Sequence, residues 1–325
     1  SVTGAGCGSR RAATRPLSPI AVQMSIRIKS IFWRMQYTSA SAAFSIDGGL
    51  LHREFGLNLV NFGLHAGMEP PFLTAIAARE ARPGDTLVVA MEPGLLTSSF
   101  TRPDLAAQMG LALGEPELIL ATPITGDGIP WVESLVSLRP GAYHVFTLLG
   151  KVALRKPLYR YSPDDFHPDG WQEARDFREV KPAAPVLARL TPDADRLLKA
   201  LAHWGVTNEV TLRYSLPWAY VPSQHAERYA VASAEFLMEL SRYLPVLKDI
   251  SLGVHTNRTH FADTEWHLTG EGARQRSLDL ARQLMAGTVW TSSELEEFAI
   301  NRRRLLDSTS PLAIPDAGGQ ASHTR

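Results

Sequence analysis

The stretch "FADTEWHLTGEG", residues 261–272, sets Asp263 four positions ahead of His267 and runs on into what reads as a helix start. A histidine acting as a general base needs one ring nitrogen facing the group it deprotonates and a partner on the other nitrogen to fix its tautomer. Asp263 is close enough in sequence to be that partner. The helix onset behind His267 disfavours the imidazolium, whereas an ionised carboxylate favours it, so the two influences oppose each other. An aspartate and a histidine this close can equally be surface residues beside a helix cap.

Two further stretches bear on that choice. "TSASAAFSID" (38–47) is a small-residue turn after an apolar strand, where a serine hydroxyl could project at a sheet edge. "NFGLHAG" (61–67) follows the next strand, and its Asn61, Gly63 and Gly67 offer an amide and backbone N–H groups suited to holding an oxyanion. His65 lies in the same turn and could touch substrate or be a buried, hydrogen-bonded histidine. Glu92, after the third strand in "VVAMEPGLL", could line a pocket, cap a helix or form a salt bridge. Trp218 and Tyr220 in "SLPWAYVP" could stack on a sugar ring or pack in the core. His255 and His260 flank the Asp/His loop, but their spacing matches no zinc signature, so no metal is expected.

Serine turn first, Asn/Gly turn second and Asp/His loop last is an order that resembles the SGNH (GDSL-like) hydrolase family, particularly its envelope-associated, polysaccharide-modifying members. The resemblance rests on "ASAAFSIDGGLL", "LVNFGLHAG", "RPGDTLVVAMEP" and "FADTEWHLTGEGARQRS" and covers roughly residues 28–286. It implies a three-layer α/β/α fold with a flavodoxin-like, mostly parallel sheet, a serine nucleophile in the first turn, oxyanion donors (Asn61 and Gly63) in the second, and Asp263 with His267 in the last. Members usually carry Gly-x-Ser or Gly-Ser-Ser in the first turn. Spacing back from "FSID" instead puts Ala40 at the nucleophile position, between Ser39 and Ser41. A one-residue shift of the turn presents Ser41, the preferred candidate over Ser39.

The activity so implied is serine-dependent hydrolysis or transfer of an acyl ester, as in an esterase or O-acetyltransferase, on a small-molecule or polysaccharide substrate with no cofactor. The rival reading, from Ala40, is a non-catalytic glycan-binding or scaffold protein on the same fold. A nucleotide-binding flavodoxin-like protein is the weaker third, since no Gly-rich phosphate loop follows the first strand.

These residues need elements to carry them. Strand and helix alternate: "SIFWRMQYT" (30–38), a helix in "SIDGGLLHREFG" (45–56) ended by Gly56, and the strand "LNLVNFGL" (57–64). "EPPFLTAIAAREA" follows as a helix with prolines in its first turn, then "RPGD" as a turn into the apolar strand "TLVVAMEPGLL". Such alternation implies a parallel sheet covered by helices on both faces, with ligand-binding loops at the strands' C-terminal ends. Residues 97–190, including "YRYSPDDFHPDGWQEARDF", read as an irregular insertion near that edge. Further on, "TPDADRLLKALAHWG" reads as a helix capped by Thr191 or Asp193 and ended by Gly205, and "VTLRYSLPW" as a strand. "SQHAERYAVASAEFLMELSRYL" is a long helix, "LKDISLGVH" the last strand, and "GARQRSLDLARQLM" a terminal helix capped by Thr269.

The chain's 325 residues are 45% hydrophobic, enough for one large core, taken as a single domain over 26–305. Lys plus Arg and Asp plus Glu are both 33, so charge alone would not draw nucleic acid. The one cysteine, Cys7, allows no intrachain disulfide or Cys-built metal site. No run of eighteen apolar residues suggests a membrane-spanning helix. From Ser1 to Ile46 there is no acidic residue, and six Lys or Arg lie between Arg10 and Arg34. That is the composition of an organelle transit peptide, or of sequence foreign to the mature protein. The family resemblance points instead to the cell envelope. Residues 1–25 and the Ser/Pro/Gly-rich tail from 306 are expected to be disordered.

Overall fold

The computed structural model describes residues 34–38, 44–63, 68–100, 142–155, 167–174, 179–184, 186 and 189–309. Four parallel strands form its sheet: β1 (Arg34–Thr38), β2 (Asn58–Asn61), β3 (Thr86–Val89) and β4 (Thr211–Tyr214), in spatial order β2-β1-β3-β4. Register pairs Tyr37 with Asn61 and Val88, and Thr38 with Val89, so three strands end at one common edge. The chain is mixed α/β, as the alternation of the sequence predicts.

Local chemistry sets the helices between these strands. Asp47 caps α1 (Gly48–Phe55), its Oδ1 accepting the Leu50 N–H at 2.8 Å, and Gly56 closes it at φ 68°. Pro70 and Pro71 fill the first turn of α2 (Glu69–Glu80), where a missing N–H costs nothing. A short α3 (Pro93–Thr97) follows β3. Beyond it come α4 (Ala142–Ala153) and α5 (Pro192–Thr207), the latter capped by the Thr191 hydroxyl accepting from Ala194 at 3.2 Å.

Gly205 does not end α5, which continues to Thr207 with Asn208 as cap. It is there for close approach: a Cβ at Gly205 would stand 2.7 Å from Leu212 Cδ1 on β4.

Alternate residues of β3 enter two separate cores. Leu87 and Val89 pack with Phe72, Ile76, Leu198 and Leu201, whereas Val88 packs with Leu51, Leu59, Leu280 and Ala281. Both faces of the strand are therefore buried, which is why it reads as an unbroken apolar run.

The expected last strand is corrected. In its place are isolated bridges, Val246 parallel to Tyr214 and Leu247 antiparallel to Val289, and Asp249 then turns the chain away by accepting the Ser251 N–H at 2.9 Å and its hydroxyl at 2.8 Å. The chain next forms β6 (Val254–His255), parallel to β5 (Ala219–Tyr220) in a separate two-stranded sheet. Three helices complete the description: α6 (Ser223–Leu240), α7 (Gly270–Ala286) and α8 (Ser292–Thr309). Helix α8 packs along α6 and continues past 306, where a disordered tail is expected; residues 310–325 and 1–25 lie outside the described residues. No helix among the described residues is long and apolar enough to cross a membrane.

Candidate active site

Asp263 and His267 meet side by side in a loop, not on a helix face. Asp263 Oδ1 lies 2.8 Å from His267 Nδ1; the Asp263 side chain is fully buried, and that of His267 is 19% exposed. The loop is stapled at its base by a bridge between the buried Phe261 and Leu268, and the Ala262 N–H donates to the His267 carbonyl at 2.8 Å. Inside it the Thr264 hydroxyl accepts the N–H groups of His267 (3.0 Å) and Trp266 (3.2 Å). Tyr220 on β5 donates its N–H to the Glu265 carbonyl at 2.9 Å. In the neutral imidazole a carboxylate on Nδ1 favours the tautomer with its proton on Nδ1, which leaves Nε2 the lone pair a base requires.

The loop leads into α7, whose cap, Thr269, accepts the Gly272 N–H at 3.2 Å, as its sequence predicts. Gly272 lets the helix start against the preceding turn, for a Cβ there would meet the His260 carbonyl at 2.3 Å. One turn on, the Ser277 hydroxyl donates to the Ala273 carbonyl at 2.7 Å and accepts the Asp47 N–H at 2.9 Å. The helix that follows the Asp/His loop is thereby tied to the start of α1. Arg276, wholly buried, donates to the Ser215 hydroxyl and, at 3.1 Å, to the Leu216 carbonyl, joining α7 to the end of β4.

Ser39, Ala40, Ser41 and His65 lie outside the described residues. The ends of the serine turn do not: Thr38 finishes β1 at the sheet edge, and the buried Phe44 packs its ring on His267, centroids 4.3 Å apart and planes 31° apart.

At the end of β2, Asn61 is buried and braces its own turn. Its Oδ1 accepts the Gly63 N–H at 2.8 Å and its Nδ2 donates to the Ile46 carbonyl at 3.3 Å. The Gly63 N–H, expected to face an oxyanion, is thus committed to Asn61. Glu92 is buried at the N-cap position of α3, and its side chain makes no capping hydrogen bond.

A participant the sequence did not name is the His167–Gly170 turn. Asp169 accepts the Gly49 N–H on Oδ2 at 2.8 Å, and its carbonyl accepts the Asn61 N–H at 2.8 Å. Gly170 sits at φ 88°, and a Cβ there would stand 2.2 Å from the Asn61 carbonyl. This part of the insertion therefore lies against the start of α1 and the end of β2. The dipeptide Asp-Gly in "HPDGW" marks a turn, but nothing local names its partner.

Trp218 is 4% exposed and stacks on His255 at 3.4 Å, so it belongs to the core; Tyr220 packs on Phe261 at 5.7 Å. Burial first, then the charges of Arg276 and His260, push the His255 pKa down to about 3, so the ring stays neutral. Among the described residues no three His, Cys, Asp or Glu side chains cluster as metal ligands would.

Comparison of the chain with known protein families, with characterised proteins and with solved structures finds no match.

Proposed function

We propose that the chain is a serine-dependent acyl-ester hydrolase or O-acyltransferase on a three-layer α/β/α fold of SGNH hydrolase type, acting on an O-acylated carbohydrate. The observation that carries this reading is the Asp263–His267 pair: a 2.8 Å bond to a buried carboxylate, with Phe44, at the end of the serine turn, against the imidazole. A pair that merely capped a helix would not need its carboxylate out of water, where burial is costly unless it is partnered.

In this mechanism the Ser41 hydroxyl attacks the acyl carbon and passes its proton to His267 Nε2. The tetrahedral intermediate then expels the sugar oxygen, which takes the proton back. Water or a second sugar hydroxyl resolves the acyl-enzyme by the same route in reverse. Asp263 holds the tautomer and offsets the imidazolium charge. Asn61 shapes the turn that the oxyanion would face, and Gly63, its N–H committed, serves as part of that turn.

Hydrolysis of p-nitrophenyl acetate by the wild-type chain, His267→Ala, Ser41→Ala and Ala40→Ser tests the reading. Loss of on the order of 10³-fold in His267→Ala and Ser41→Ala supports it; equal rates remove both residues from the chemistry. An inactive wild type in which Ala40→Ser creates activity would favour the non-catalytic glycan-binding reading.

A further inference from the structure

Arg276 is the largest side chain wholly out of water among the described residues. Its Nη2 donates to the Ser215 hydroxyl and, at 3.1 Å, to the Leu216 carbonyl, both neutral, while Nε and Nη1 bond to nothing among the described residues. A buried lysine can shed its proton, but a guanidinium stays charged. Water could accept the free N–H groups, yet it brings no charge to offset the cation, and an unpaired charge in the interior is costly. Ser215 and Leu216 follow directly on β4, so the guanidinium stands at the carboxyl end of that strand, the end of an open parallel sheet where ligands bind.

The surroundings supply a second donor. A Cβ at Gly272 would meet the His260 carbonyl at 2.3 Å, and Arg276 lies one turn further along the same face of α7. His260 keeps Nδ1 out of water with no partner. Asn257, its Oδ1 taken by the Thr259 N–H and hydroxyl, turns Nδ2 to His260 Nε2 at 3.1 Å, which leaves the ring proton on Nδ1. The acidic residues beside this group are engaged elsewhere. Asp249 accepts from the Ser251 N–H and hydroxyl and from the Gly253 N–H, and the exposed Glu271 pairs with Arg274 and Gln275.

We propose that Arg276, with His260 one turn away, receives an oxyanion, the carboxylate or phosphate group of a ligand, at the carboxyl end of β4. Nε and Nη1 supply the charge and the charge-assisted hydrogen bonds, and His260 Nδ1 a further N–H. Neither residue takes part in the Asp263–His267 chemistry, so the inference stands or falls separately from the proposed function.

Thermal unfolding of the full chain at fixed ionic strength tests it, with sodium chloride exchanged for sodium phosphate or sodium glucuronate and with glucose as the uncharged control. At least one of the two oxyanions should raise the wild-type melting temperature saturably, by about 2–4 °C, and glucose should not. The one that acts names the acidic group of the ligand. Arg276→Met, which fills the space without the charge, should show no such rise. If Arg276→Met does not fold, Arg276→Lys serves: it keeps a charge but loses the planar fork, and should need at least about tenfold more of the same anion for the same rise. A wild-type melting temperature that neither anion moves, or a rise of equal size at equal concentration in the variants, overturns the proposal.

Discussion

The Ser277 hydroxyl accepts the Asp47 N–H at 2.9 Å across 230 residues of sequence, and this one bond ties the helix that follows the Asp/His loop to the helix that follows the serine turn. The hydroxyl donates in turn to the Ala273 carbonyl at 2.7 Å, so it is held from both sides. Ser277→Ala should leave the Asp47 N–H without this acceptor and cost about 1–3 kcal/mol in urea unfolding. If positioning is the function of the bond, ester hydrolysis should also fall at saturating substrate, whereas a purely structural bond would move the unfolding midpoint alone.

Asp263→Asn keeps the shape of the buried side chain but no longer holds His267 with its Nε2 unprotonated. On the proposed mechanism kcat should fall by on the order of 10³–10⁴-fold with the fold intact by circular dichroism. A variant within a few-fold of wild type would show that Asp263 does not serve the base.

His255 gives stability a pH dependence whose sign is set by its burial. The folded imidazole takes a proton only near pH 3, whereas an unfolded histidine takes one near 6.5, so between those values the unfolded chain binds more protons. The contribution of His255 to stability is complete above pH 6.5 and lost as pH falls below it, by about 1.4 kcal/mol per unit until the folded pKa is reached. His255→Phe, which can keep the stack on Trp218, should flatten this part of the profile. Urea unfolding of both proteins at pH 6.5 and 5.5 measures the difference, and parallel profiles would count against a buried neutral His255.

Gly170→Ala probes whether the insertion supports the site. The positive φ alone should cost about 1–3 kcal/mol. The 2.2 Å approach to the Asn61 carbonyl should also displace the turn at the end of β2. Thermal unfolding reads the first effect. The KM for an acylated oligosaccharide reads the second and should rise; an unchanged KM would separate this turn from the substrate.

What could be read locally was read correctly where the cause was local. The Thr191 and Thr269 side chains bond N–H groups three residues on, Gly56 closes α1 in a conformation that favours glycine, and paired prolines open α2. Gly205 misled because the same residue type serves two ends, stopping a helix or admitting a neighbour, and only the position of Leu212 distinguishes them.

The sequence by itself determined the alternation of strands and helices, the apolar character of a strand buried on both faces, and the nearness of Asp263 to His267, since each depends on residues a few positions apart. Tertiary structure alone decided that the Asp263 carboxylate is out of water, that Asn61 Nδ2 reaches the Ile46 carbonyl, and that Asp169, Phe44 and Ser277 converge on this region. Those relationships join residues as much as 230 positions apart, and a hydrogen bond or ring contact at such separation leaves no periodicity or spacing along the chain. It exists only once the sheet has brought its loops to a common edge.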